Sequence, residues 1–258
     1  MTAVLRRMRL RKGGDEGWVE WDDAAGQVAW VRHLEPERWR RAHALEGAEQ
    51  VVPRQDLEPA PVFAGRQVWG FADNYRPSGG GAARTAEPLL FVKPACSVVD
   101  EEAPVPVGAL TARGARVWGE GELAVLLGSD AHPLGVTLAN DVTMELPGYE
   151  EQDHHLPYFK GQPGFCPCSS FLLPLTVLDD YTVECFHDGE LLRKGSRAEQ
   201  VFSWDELWQW LTAWLKPAAG DLVLLGAPRR VRDRAYARPG SVYTTVLRDR
   251  LRLETRFA

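Results

Sequence analysis

Gly119-Glu-Gly-Glu-Leu-Ala-Val-Leu-Leu-Gly128 is the stretch on which the fold turns. Its apolar run, Leu123 to Leu127, is unbroken and closed by glycine, the pattern of a strand buried on both faces. Glu120 and Glu122 stand at its entry, and residues two apart on a strand share a face. Two carboxylates held together repel, and burial raises the cost unless a proton or a cation compensates. Outward from this strand, Leu134 to Ala139 repeats the apolar run and ends at Asn140-Asp141, which adds a third carboxylate at a strand end. Oxygen ligands with no soft donor nearby suit Mg²⁺, Mn²⁺ or Ca²⁺ rather than zinc. A second reading stays open on spacing alone: two exposed strand glutamates and an unrelated aspartate.

Further strands are expected at Trp18–Trp21, Val28–Val31, Val68–Phe71, Pro88–Pro94, Asp221–Gly226 and from Val242 to Phe257. Residues 1–62 read as a small β-rich region, with a charged stretch from Glu35 to Glu46 that could be helical, and 63–258 as the main domain. Ser203 with Glu206 three residues on forms a capping box before Leu207, Trp208, Leu211 and Trp214, a helix whose aromatic stripe is expected in the core. The triple glycine at 79–81 reads as a loop tip. The fold class is thus α/β but mainly β, with few helices.

The 258 residues are 45% hydrophobic and 26% charged, a globular balance that allows a substantial core. A net charge of −6 argues against nucleic acid as a partner. The basic opening from Arg6 to Lys12 is expected to be a solvated strand edge. No apolar run reaches the ~18 residues a membrane span needs, and no secretory leader is evident, so a cytoplasmic protein is expected. Cys166-Pro-Cys168 is too tight for zinc, and the four cysteines read as buried small hydrophobes in a reducing compartment.

From about residue 66 onward the chain resembles the fumarylacetoacetate hydrolase family. The resemblance rests on Asn74-Tyr75-Arg76, Pro88-Leu-Leu-Phe-Val-Lys-Pro94 and Gly119–Gly128. It continues through Ala139-Asn-Asp-Val-Thr143, Lys160-Gly161, Phe165-Cys-Pro167, Asp188-Gly-Glu-Leu191, Gly220–Pro228 and Pro239-Gly240. It implies a rolled mixed β-sheet, a homodimer, and a small-molecule keto-acid substrate. It also implies that Glu120, Glu122 and Asp141 are the ligands of Mg²⁺ (or Mn²⁺, with Ca²⁺ a further option) and Lys160 the active-site lysine. Tyr75 and Lys93 lie in matching segments and are candidate substrate contacts, Lys93 having a structural role as its alternative.

The implied chemistry is C–C hydrolysis of an acylpyruvate or other β-diketo acid, with the cation as Lewis acid toward a developing enolate and the lysine adding positive charge. Isomerase, decarboxylase, sugar-acid dehydratase and non-catalytic relative are the alternatives. Several departures from the family pattern matter. The stretch Pro77 to Ala83 lacks the usual His–Glu pair that activates water. Glu145 stands where a cation is usual, which suggests a less anionic substrate. Gln162-Pro163 replaces a usual aspartate, and Leu225-Gly226-Ala227 lacks a usual hydroxyl donor. His155, or its neighbour His154, is the candidate replacement base, against the plainer reading of an exposed acidic loop around Glu150, Glu151 and Asp153.

Overall fold

The computed structural model describes residues 4–21, 24–34, 50–76, 86–149 and 155–258. The stretches 35–46, 77–83 and 150–154 singled out above lie outside the described residues. Five short strands open the chain: β1 (Leu5–Leu10), β2 (Glu16–Glu20), β3 (Gln27–Val31), β4 (Gln50–Pro53) and β5 (Leu57–Pro59). Then come β6 (Gln67–Ala72), β7 (Leu89–Pro94), β8 (Val98–Val99), helix α1 (Gly108–Thr111) and β9 (Arg116–Trp118). The central pair, β10 (Gly121–Leu127) and β11 (Pro133–Asn140), leads through β12 (Thr143–Glu145) to helix α2 (Leu156–Lys160). The chain closes with β13 (Cys166–Pro167), β14 (Phe171–Leu172), β15 (Thr182–His187), β16 (Glu190–Ser196), helix α3 (Trp204–Trp214), β17 (Leu222–Leu224), β18 (Val242–Leu247) and β19 (Leu251–Arg256).

A mixed sheet in the order β11-β10-β17-β6-β7 forms the centre, antiparallel except for the β17–β6 pair. The unbroken apolar run of β10 has a direct explanation there. Leu123, Val125 and Leu127 belong to the main core, while Ala124 and Leu126 belong to a second core on the opposite face. A strand covered on both sides carries apolar residues at every position rather than at alternate ones. The sheet β16-β15-β18-β19 packs on the main-core side and brings Val183, Leu192, Tyr243 and Leu253 to it. The architecture is a rolled, mainly β fold, as the family resemblance implies.

The N-terminal strands form one sheet, β14-β1-β2-β3-β4, with β5 also paired to β1. One face has a core of its own, built from Met8, Val19, Val28, Trp30, Val52 and Leu57. The other face delivers Leu5, Trp18 and Val31 to the core that holds Val68, Phe91 and Leu126. The described residues among 1–62 therefore share buried surface with the rest of the chain, and Phe171–Leu172 extends their sheet.

Two expectations need correcting. The basic opening is a solvated edge only at Arg11 and Lys12: β1 lies between β14 and β2, and Arg7 donates to the carbonyls of Pro61 and Phe63 and to Glu16. The aromatic stripe of α3 meets the core only in part: Trp208 packs against it with Trp204 and Trp210, but Trp214 does not. Leu207 and Leu211 are fully buried, whereas Trp214 is 69% exposed. The capping box does form, with the Ser203 hydroxyl accepting from the Glu206 N–H. No helix among the described residues is long and apolar enough to cross a membrane.

Candidate active site

The open end of the β10–β11 pair builds the site. Gly121 pairs with Asn140, and the Asp141 N–H donates to the Glu120 carbonyl at 2.8 Å. The Asn140 side chain fastens this end: its oxygen accepts from the Glu120 N–H at 2.8 Å and its amide donates to Thr255 at 3.0 Å. Between the two glutamates only glycine fits, because a Cβ on Gly121 would stand 2.0 Å from the Thr245 hydroxyl. Glu120, Glu122 and Asp141 consequently face one cavity of about 540 Å³. Thr143, Lys160 and Arg193 line it with them, and Phe91, Trp118, Asp73 and Arg234 extend its wall.

Cationic side chains hold two of the three carboxylates. Arg193 donates to Glu120 Oε1 at 2.5 Å and to the Pro228 carbonyl at 2.8 Å. Lys160, at the end of α2, donates to Glu120 Oε2 at 3.2 Å, to Thr143 at 2.7 Å and to Asp141 Oδ2. Its ammonium also lies 4.6 Å from the centre of the Phe91 ring. Lys93 is completely buried behind the cavity wall, donating to Asp141 Oδ1 at 2.6 Å and to the Val142 carbonyl at 3.1 Å. All four oxygens of Glu120 and Asp141 thus accept from a cation. Glu122 instead accepts the backbone N–H of Gly226 at 2.7 Å.

The electrostatics differ accordingly. Burial would push the Glu120 carboxyl upward, but Lys160 and Arg193 overcome it and hold it at about 2. Glu122 is pushed well above the ordinary carboxylate range, by burial first and then by Asp141. Burial disfavours the Lys160 ammonium, yet Asp141 and Glu120 more than compensate, so it stays firmly protonated. Two adjacent carboxyls are therefore driven in opposite directions, the arrangement that separates an acid from an anion.

The donor set is all oxygen, which fits a hard divalent cation in kind, and Glu122 is the buried carboxyl without a cationic partner that such an ion would satisfy. As the side chains stand, no three His, Cys, Asp or Glu residues among those described close on one point. The Lys160 ammonium spans Glu120 and Asp141 instead.

Tyr75 and His155 do not line the cavity. The Tyr75 hydroxyl is buried 3.1 Å from that of Tyr181, and His155 meets Tyr149 edge-on at 4.9 Å while its neighbour Leu156 reaches the cavity. Glu145 points away as well, paired with Arg116 at 2.8 Å, so the charge reversal read in the sequence falls outside the site. The hydroxyl missing from Leu225-Gly226-Ala227 has a substitute in the Gly226 N–H, presented by a backbone at φ +97°. Arg193, Arg234, Trp118 and Asp73 escaped the sequence reading. Arg193 lies two residues beyond the Asp188–Leu191 motif, and Trp118 and Asp73 immediately precede the Gly119–Gly128 and Asn74–Arg76 motifs, usable signals; Arg234 has none, since it meets the site only through folding.

Fold and site together are a rolled β protein with an acidic, lysine-bridged cavity at the ends of its central strands. Residues 68–257 match the model of the fumarylacetoacetate (FAA) hydrolase C-terminal domain, and the chain belongs to that family. Among its relatives, a mitochondrial oxaloacetate decarboxylase of Dictyostelium discoideum is 27% identical over 61% of this chain and 76% of its own. A mitochondrial oxaloacetate tautomerase of Bos taurus is 26% identical over 58% and 73%. The crystal structure of a 5-carboxymethyl-2-hydroxymuconate delta-isomerase from Mycobacterium smegmatis superposes with a TM-score of 0.78 at 17% identity, covering 99% of this chain and 98% of that one. At that identity the likeness is one of fold.

Proposed function

We propose that this chain is a divalent-cation-dependent enzyme that interconverts the enol and keto forms of a 2-keto acid. The observation that carries the reading is the meeting, in one cavity, of Glu120, Glu122 and Asp141 with a buried lysine ammonium that bridges two of them. A cation held by Glu120, Glu122 and Asp141 would supply Lewis-acid polarisation of the keto oxygen. In the direction from enol to keto, the enol hydroxyl gives up its proton to solvent and carbon 3 takes one from it, Glu122 being left ionised to hold the cation. Lys160 places a fixed positive charge beside the oxygen that is transiently anionic. The Phe91 ring, 4.6 Å from the Lys160 ammonium, gives this end of the cavity an apolar wall and strengthens both effects. Such a reaction moves one proton and asks for no activated water, which suits a wall on which His155 has no place. Relatives named as acting on oxaloacetate support it.

C–C hydrolysis of an acylpyruvate is the second reading, favoured by Asp73. This carboxylate lines the cavity from a left-handed backbone position at φ 53°, where a non-glycine residue is uncommon. The test follows decay of the oxaloacetate enol by absorbance with Mg²⁺, alongside cleavage of an acylpyruvate. Catalysed enol decay that disappears with chelator and falls about 100-fold or more in Lys160→Met supports tautomerisation. Acylpyruvate cleavage alone, lost in Asp73→Asn, establishes the hydrolase instead. Turnover in neither assay leaves a non-catalytic member of the family.

A further inference from the structure

The cavity changes character along its length. The central strands end together at it: Glu120 leads into β10, Asp141 follows β11, Ala227 follows β17, Ala72 ends β6 and Leu89 begins β7. The strand order β11-β10-β17-β6-β7 therefore sets the acids on one side and the β6–β7 end on the other. Three strand spacings separate β10 from β7, roughly 14 Å. Ala72 pairs with Leu89 across β6 and β7, and Phe71 with Leu90. Phe71 is buried beneath, whereas Ala72 and Leu90 are partly exposed and Leu89 is 48% exposed. Leu156, at the start of α2, is partly exposed too, and α2 packs on β7. All of these line the cavity, and the exposed ones present apolar surface to it.

Charge is divided in the same way. Lys160 and Arg193 are bonded to Glu120, and Arg234 lies over the ring of Trp118, two residues before it. The cations that line the cavity thus stand on its acidic side. On the other side the ionisable lining residue is Asp73, exposed and directly after Ala72. A substrate carboxylate placed there would meet a like charge and apolar walls, and no described lining residue on that side is a cation to offset its desolvation. A short keto acid held beside Lys160 leaves that side unfilled. The whole cavity, about 540 Å³, lies in the range that encloses much larger ligands.

We infer that Ala72, Leu89, Leu90 and Leu156 form a subsite for an apolar arm, so that the substrate is a keto monoacid with an alkyl or aryl chain rather than a keto diacid. Leu89 is the specificity-determining residue, since it offers the cavity the most exposed apolar side chain of the four. The inference rests on the keto-acid reading above and narrows its substrate class. The less anionic substrate read from Glu145 in the sequence returns here on other residues, Glu145 itself lying outside the site.

The experiment is calorimetric binding with Mg²⁺ of four probes: pyruvate, 2-ketooctanoate, 2-ketoglutarate and octanoate. They carry the keto-acid head alone, the head with an apolar arm, the head with a second carboxylate, and the arm on a plain carboxylate. A buried methylene contributes about fourfold in affinity, so 2-ketooctanoate is expected to bind about 30-fold or more tighter than pyruvate, and tighter than 2-ketoglutarate. In Leu89→Glu the ratio of 2-ketooctanoate to pyruvate is expected to fall to about twofold or less. Equal affinities for these two in the native chain, tighter binding of 2-ketoglutarate, or a preference that survives in Leu89→Glu would overturn the subsite and leave the keto-acid reading standing. Octanoate binding as tightly as 2-ketooctanoate, and weakening in Leu89→Glu, would uphold the subsite and overturn the keto-acid reading. Binding of none of the four overturns both. Thermal melts of Leu89→Glu, and its Mg²⁺ affinity without probe, show whether the variant is folded with its acidic side intact; Leu89→Ser carries the same test if the glutamate lowers the Tm.

Discussion

Glu120 and Glu122 are separated by one glycine, and their carboxyls move in opposite directions. Glu120, held at about 2 by Lys160 and Arg193 against its own burial, stabilises the folded chain above the ordinary carboxyl value near 4.3. That contribution drains away as pH falls toward 2. Glu122 has the opposite sign. Its carboxyl is raised by burial and Asp141, so the folded chain holds a proton there that the unfolded chain has released, and stability falls as pH rises through that interval. In chelator at pH 7, Glu122→Gln is therefore expected to melt above the native chain, and its Tm to fall less between pH 5 and 8. With saturating Mg²⁺ the order reverses, because the variant lacks a ligand that the ion would stabilise. A Glu122→Gln chain that melts below native in chelator would show that this carboxylate is charged and satisfied by its protein neighbours.

The elements that carry these residues were unequally legible. β10 could be read from its apolar run, since a strand buried on two faces has no other composition. The site's carboxylates followed from it by the two-residue repeat. α2 could not: five residues, with proline at its start, give no helical period, yet this short turn sets Lys160 among the acids. The turn at Leu225-Gly226-Ala227 lacks a usual hydroxyl donor in the sequence, while in the structure the Gly226 N–H donates to Glu122. A Cβ there would meet Asn74 Cβ at 2.9 Å and the Phe71 carbonyl at 3.0 Å, on a backbone at φ +97°. Gly226→Ala should cost about 1–3 kcal/mol of stability and, by loosening Glu122, weaken Mg²⁺ about tenfold. Melting and calorimetry check the two effects separately; undiminished Mg²⁺ affinity would detach this turn from the acidic cluster.

Across the whole molecule, Glu101 joins the N-terminal sheet to the rest. It accepts from Arg6 at 2.7 Å, from the Ser170 N–H at 2.9 Å, and from the hydroxyls of Ser169 at 3.1 Å and Ser170 at 2.8 Å. Glu101→Ala leaves the Arg6 guanidinium and these donors without their acceptor, at an expected cost of about 2–3 kcal/mol. The Tm should drop by roughly 4–10 °C, with Mg²⁺ affinity unchanged because the cavity is elsewhere. A variant that melts like the native chain would mean the shared apolar core alone holds the sheet in place. None of this was legible beforehand. The sequence showed strands on both sides of residue 62, but which strand pairs with which is decided by surfaces far apart along the chain. Arg6 and Arg7 looked like solvated charge for the same reason: their acceptors, Glu101 and the carbonyls of Pro61 and Phe63, lie far down the chain.

The pairing of Leu5 with Leu172 has a consequence for the order in which the protein comes into being. Synthesis runs from the N-terminus, so the first sheet leaves the ribosome long before the strand that closes its edge has been made. During that interval the Leu5–Arg6 end of β1 has an open side, and Leu5 and Trp18 face the missing second core, the features that invite pairing with a neighbouring nascent chain. Closing so large a loop is also slow relative to local pairing. The opening segment must therefore wait, as a half-finished hairpin stack, for two thirds of its own sequence to arrive.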